Sequence, residues 1–216
     1  MGKMEHLTSQ ALLEALARMC KAIELSKGYL CELDAATGDG DHGVSMAKSF
    51  RAVADELPAL AGQSIEAILR AVGMSLVSTV GGAMGPLFGT AFLKAAEKAR
   101  NYQEIDLPAL AEMFAAAEEG IVSRGIAKPG DKTMLDAIHP AVATIKHAVE
   151  RNRSICQAVR LAAQVAKEGA EATKVMVANV GRASRLGERT LGHQDPGAVS
   201  TSILLGAAGN SDLDSD

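Results

Sequence analysis

The chain has 216 residues and a formal charge of −4, a balance that gives no electrostatic case for nucleic acid or an anionic membrane surface as partner. Apolar residues make up 48% of it but aromatics only 3%, with no tryptophan, so the core must be Ala, Leu, Val, Ile and Met packed between closely spaced helices. Cys20, Cys31 and Cys156 are odd in number and far apart, which argues against a disulfide framework or a zinc site; with no secretory signal at the start, this suits a cytoplasmic protein.

The length suits one domain over residues 1–216, with 1–6 and 209–216 read as frayed ends. Leu12, Leu13, Leu16, Met19, Ile23 and Leu25 keep mostly three-four spacing and predict a helix over 8–27. After an acidic, glycine-rich stretch, Val44, Met46, Phe50 and Val53 mark a second helix from His42 to the residue before Pro58. Ser64 is placed to cap a third over 65–79, with Glu66 at the positive end of its dipole. Residues 71–93 carry no charge and could span a bilayer by length, but five glycines and Pro86 fall within them. They read as two buried helices flanking a glycine loop, the second running from Pro86 to Arg100.

Asp106 caps a fifth helix with Pro108 in its first turn. The sixth covers 133–149, and Ser154 with Gln157 forms a capping box for a seventh that reaches Asn179. The last follows Pro196 and ends near Gly206. No stretch alternates at period two for a strand's length. The chain reads as all-α, an antiparallel bundle of eight helices.

Four irregular segments, at 34–45, 81–89, 123–132 and 181–197, follow the first, third, fifth and seventh helices. In an up-down bundle that parity puts all four at one end, where they would form a composite site.

The richest of them reads D-A-A-T-G-D-G-D-H-G-V-S from Asp34 to Ser45. Asp34, Asp39 and Asp41 would repel one another unless a cation sat among them, so the stretch fits one or two hard divalent ions. Gly38, Gly40 and Gly43 permit tight turns and leave N–H groups at the next helix start for an anion. G-D-G-D-H-G matches a dinucleotide fingerprint only in letters: no hydrophobic strand precedes it, and its carboxylates would face the phosphates. An EF-hand fails because Gly43 and Phe50 stand where ligands are required. An acidic surface loop remains the plain alternative; the functional reading is magnesium bridging to phosphates.

The other segments are weaker signals. The run T-V-G-G-A-M-G-P-L-F-G either brings backbone close to a ligand or cushions a helix crossing. Gly125, Lys128, Asp131 and Lys132 stand near a helix start, and Arg182, Arg185 and Arg189 could answer a diphosphate's charge; each could equally be solvated. His42 is a candidate for contact with a phosphate or a metal's water shell, His193 a weaker one, and His139, His147 and His6 read as structural. Kinase motifs of the Walker, H-R-D and D-F-G types are missing.

Taken in order, L-D-A-A-T-G-D-G-D-H-G, V-G-G-A-M-G-P-L-F-G, S-R-G-I-A-K-P-G-D-K-T-M-L-D and G-E-R-T-L-G-H-Q-D-P-G-A resemble the nucleotide-binding L subunits of dihydroxyacetone kinase, the DhaL family. The likeness covers residues 7–207. It implies an eight-helix barrel with ADP and two magnesium ions at one end. In the phosphotransferase-system form it implies that ADP stays bound and is rephosphorylated in place by a DhaM-type phosphohistidine protein. The γ-phosphoryl group then passes to dihydroxyacetone on a DhaK-type subunit. A transcriptional regulator as further partner and a homodimer are also compatible with it.

By the same resemblance Asp34, Asp39 and Asp41 hold the metal, and His42, Gly43, Val44, Ser45, Ala83, Met84, Gly125, Met134, Arg182, Asp195, Pro196 and Gly197 contact the nucleotide. No catalytic residue is expected here, since the groups that activate the acceptor would be on the partner subunit. Members often carry Ser or Thr in place of Met84 and Asn in place of Ser45, and Met84 can give no hydroxyl hydrogen bond to a phosphate. Two other functions stay open: a subunit that exchanges ATP and serves another short ketose such as a tetrose, and a regulatory binding protein read by its nucleotide state.

Overall fold

The structure, a computed structural model, describes residues 6–79 and 84–210. Among these it has nine α-helices: α1 (Ser9–Leu25), α2 (Lys27–Ala35), α3 (His42–Glu56), α4 (Ile65–Thr79), α5 (Met84–Ala99), α6 (Leu107–Arg124), α7 (Leu135–Glu150), α8 (Ile155–Ala172) and α9 (Pro196–Gly209). The described residues include no strand, only one antiparallel bridge between Leu7 and Ile105. None of these helices is long and apolar enough to cross a membrane, and the uncharged run at 71–93 is divided between α4 and α5.

The caps act as the sequence indicates. Asp106 accepts from the Ala109 N–H at 2.8 Å and Ser64 from Ala67 at 3.2 Å. Ser154 and Gln157 close a reciprocal capping box with both bonds at 3.3 Å.

Eight of the helices form a closed ring in which each packs against the next, in the order α1, α3, α4, α5, α6, α7, α8, α9 and back to α1. The short α2 stands outside that ring against α3 and α9. The expected eight-helix barrel is therefore present with one helix added. Phe50, Leu16, Ile23, Ile68, Leu76 and Ile145 are almost fully buried in it, each contributing roughly 1.5–3 kcal/mol.

Small residues set the spacing. Ala158, Ala162, Ala166 and Ala170 repeat every four residues down the buried face of α8. At the α4–α5 crossing, a Cβ on Gly89 would lie 2.7 Å from the Gly73 carbonyl, so only glycine lets the two backbones meet. For Gly89 the helix-crossing alternative is the observed one.

Three boundaries differ from expectation. The helix expected from Pro86 starts at Met84, so 84–89 is helix rather than irregular. Residues 27–35 form α2 rather than loop. The seventh helix stops at Ala172, not Asn179; just beyond it the Thr173 and Met176 carbonyls accept from the Lys132 ammonium. The chain continues as 3-10 turns at Thr173–Val175 and Ala183–Thr190, and this arch leads back to α9.

Candidate nucleotide and metal site

Asp34 lies in the last turn of α2, and its carbonyl accepts from Thr37 at 3.1 Å and Gly38 at 2.5 Å, which turns the chain sharply. A Cβ on Gly38 would sit 2.3 Å from Asp34 Oδ1 and so displace that carboxylate, and Gly40 takes φ of 77°, which favours glycine. The turn aims the Asp34 carboxylate at α3, where Oδ2 accepts from the His42 N–H at 3.2 Å. Asp39 and Asp41 come up beside it. One ligand oxygen from each of the three carboxylates lies within 4.8 Å of the others, with Asp39 and Asp41 exposed and Asp34 half-buried. The Arg182 guanidinium pairs with Asp39 Oδ2.

Beneath the cluster opens a cavity of about 540 Å³, lined by residues of all four irregular segments. That is within the roughly 300–1,000 Å³ of small-molecule sites. Its mouth is polar, with Asp34, Asp39, Asp41 and Arg182, and its floor apolar, with Met46, Phe50, Leu76, Phe88 and Ile121. An anionic head and a flat apolar body would be accommodated at opposite ends of it.

Of the residues indicated by the sequence, Asp34, Asp39, Asp41, His42, Ser45, Met84, Gly125, Met134, Arg182, Asp195, Pro196 and Gly197 all line this cavity. Ala83 lies outside the described residues. Gly43 and Val44 do not line it. Gly43 is buried against α2, Val44 is exposed, and what they offer a ligand is first-turn backbone N–H. Met84 packs by Cε toward Gly197, where an added Cβ would meet it at 3.4 Å and the Met134 Cβ at 3.7 Å. The methionine thus helps wall the start of α9 without a hydroxyl.

His42 is more embedded than its place beside Asp41 suggests. Nε2 lies 3.2 Å from Ser200 Oγ, which in turn donates to the Gly197 carbonyl at 3.0 Å. Burial pushes its pKa down, opposed by the Asp34 charge and by a hydrogen bond to the Pro196 backbone. The ring therefore ties α3 to α9. Asp195 caps α9 through the Ala198 N–H at 2.7 Å. Burial pushes its carboxyl up to about 7, with the Asp136 charge adding and the Ala198 bond and Lys132 opposing.

Two features carry no assignment from sequence: Thr37, buried among the cluster's turns, and Ile126, 91% exposed at the rim. Lys132, a candidate beside a helix start, turns away from the cavity into the arch. Ile126, between glycine and alanine in a loop, had a usable signal: a large apolar side chain where nothing can cover it.

Residues 36–210 match the model of the DAK2 domain. The chain is 42% identical over 199 residues to the PEP-dependent dihydroxyacetone kinase, ADP-binding subunit DhaL, of Escherichia coli (strain K12), covering 92% of this chain and 95% of that one. To the PTS-dependent dihydroxyacetone kinase, ADP-binding subunit DhaL, of Lactococcus lactis it is 36% identical, again over 92% and 95%. The crystal structure of the dihydroxyacetone kinase from C. freundii in complex with AMP-PNP and Mg2+ superposes with a TM-score of 0.70 at 25% identity, over 94% of this chain and 34% of that longer one. This chain thus spans about a third of that kinase and nearly the whole of the DhaL subunits. It belongs to the DAK2-domain family, among the DhaL-type proteins.

Proposed function

We propose that this protein is the nucleotide-carrying subunit of a dihydroxyacetone kinase. It holds ADP or ATP with magnesium, and transfers the γ-phosphoryl group to dihydroxyacetone bound on a separate DhaK-type subunit. The observation that carries this reading is the convergence of three carboxylates at the mouth of a cavity whose floor is apolar. Like charges gathered within 4.8 Å repel unless a cation neutralises them. Two magnesium ions shared among Asp34, Asp39 and Asp41 are part of this reading. When bound, the metal supplies neutralisation of phosphate charge.

The chain's own residues do the rest. Arg182 closes over the cluster and counters diphosphate charge. First-turn N–H groups of Gly43 and Val44 receive a phosphate oxygen, and Gly197 keeps the wall of α9 open. The apolar floor of Met46, Phe50, Leu76, Phe88 and Ile121 would receive the base. The reading assigns no general base to this chain, which suits phosphoryl transfer, where positioning and charge stabilisation dominate. The acceptor's activating groups belong to the partner. A DhaM-type phosphohistidine protein recharges the nucleotide in place, and the complex works in the cytoplasm.

The test is to desalt the purified protein, identify any retained nucleotide by mass spectrometry, and titrate stripped protein with Mg·ADP. Wild type is expected to retain or rebind ADP, and Asp39→Asn to lose it. Wild type with no affinity for Mg·ADP would end the reading. Transfer from ATP against transfer from a phosphohistidine protein, to dihydroxyacetone against a tetrulose, separates the kinase type; no transfer, with nucleotide-dependent capture of a regulator, would favour the binding protein.

A further inference from the structure

Lys132 is 3% exposed, an uncommon position for a lysine, and its backbone holds φ of 61°, a left-handed value that a residue with a Cβ seldom adopts. Its ammonium lies 2.6 Å from the His193 carbonyl, 2.7 Å from Thr173, 2.8 Å from Thr190 and 3.2 Å from Met176. A lysine has three N–H donors. The three shorter contacts use them all, so none is left for a ligand phosphate.

The four acceptors come from the two feet of one arch: Thr173 and Met176 where it leaves α8, Thr190 and His193 where it returns to α9. Lys132 gathers both feet. Three further ties join the feet without the ammonium: Gly192 N–H to the Lys174 carbonyl at 2.8 Å, Ala178 N–H to Thr190 Oγ1 at 3.0 Å and Asp195 N–H to Thr173 Oγ1 at 2.9 Å. A second tie to the same loop comes from Asp131, which accepts from Asn179 Nδ2 at 3.0 Å and gives its carbonyl to the Asn179 N–H. From the crown of the arch Arg182 reaches Asp39, and directly past its second foot Asp195 caps α9. What Lys132 fixes is therefore where Arg182 stands over the cluster.

We infer that Lys132 is a positioning residue that holds the 173–195 arch over the carboxylate cluster, and that it governs how tightly the nucleotide is retained by acting through Arg182. The inference rests on the nucleotide reading above. An apolar replacement would leave four converging carbonyls without their donor, so the feet would part and the crown would lose its register.

The test is a double-mutant cycle. Mg·ADP dissociation constants are measured by calorimetry for wild type, Lys132→Met, Arg182→Ala and the double variant, with thermal melts alongside. Lys132→Met is expected to weaken binding about 30-fold in the wild-type background but less than about threefold when Arg182 is already alanine, because interacting sites are not additive. Equal losses in both backgrounds, or Lys132→Met binding as wild type, would overturn the inference while leaving the nucleotide reading intact. Wild type that takes no Mg·ADP would overturn the nucleotide reading, and the inference with it. Should Lys132→Met not fold, Lys132→Arg decides: a planar guanidinium cannot meet four converging carbonyls as an ammonium does, so about tenfold weaker binding with a cooperative melt is expected. Wild-type affinity in that variant would refute the role.

Discussion

Replacing Gly43 by alanine tests how α2 delivers its carboxylate. An added Cβ would stand 2.1 Å from the Lys27 carbonyl, 2.8 Å from Cys31 Sγ and 2.9 Å from the Cys31 nitrogen, so two of its three nearest neighbours are α2 backbone. Ordinary contact begins near 3.4 Å, so α2 must withdraw from α3 by about 1.3 Å, at a cost of roughly 1–3 kcal/mol for overpacking. Alanine's better helix propensity returns up to about 1 kcal/mol. Asp34 is carried by the last turn of α2, and magnesium tolerates little departure from its 2.0–2.1 Å octahedral shell. Gly43→Ala should therefore weaken Mg·ADP binding about tenfold or more, read by calorimetry on stripped protein. Gly28→Ala is the control on the same helix, since nothing lies within 4 Å of a Cβ there. It should bind normally and gain about 0.5–1 kcal/mol in stability. If Gly43→Ala bound within twofold of wild type, the packing of α2 on α3 would not be what places Asp34.

Asp195 sets a pH dependence. Its carboxyl is raised from 3.8 to about 7 in the fold, so its stabilising neutral form is fully present below pH 4 and is lost as pH rises through 7. Wild type should lose about 3 kcal/mol relative to Asp195→Asn between pH 5 and pH 8, measured by urea unfolding of ligand-free protein; equal pH slopes would contradict the burial argument. At the opposite pole, Ser154→Ala removes half of the capping box and should cost about 1 kcal/mol, or about 2–4 °C in Tm. It should leave Mg·ADP affinity unchanged, and a loss of binding there would mean the two poles of the barrel are coupled.

The features legible in the sequence are those made by neighbours in the chain. Asp106, Ser154 and Asp195 cap helices whose N–H groups are three residues away, and Asp34, Asp39 and Asp41 converge through one glycine-bearing turn. Loop parity was legible for the same reason, because it needs only helix order. What was hidden depends on distant partners. The helix α2 buries little besides Leu30 and is secured by its contact with Gly43, so its own residues carry no strong period. Lys132 looks like any loop lysine, since its acceptors are backbone carbonyls 41 to 61 residues further on and carbonyls leave no mark in composition. The end of α8 is hidden for the same reason, since Val175 continues the apolar pattern while the ammonium takes the Thr173 and Met176 carbonyls just beyond the helix.

The seam between α1 and α9 carries one more consequence. Arg18, midway along α1, donates to the Ala207 and Ala208 carbonyls at 3.1 and 3.3 Å, so the first ring helix and the finish of the last lie side by side. A ring joined there has no intrinsic beginning. A permuted gene that links these two helices by a few residues and opens between α7 and α8 should rebuild the same barrel, with its ligand chamber undisturbed.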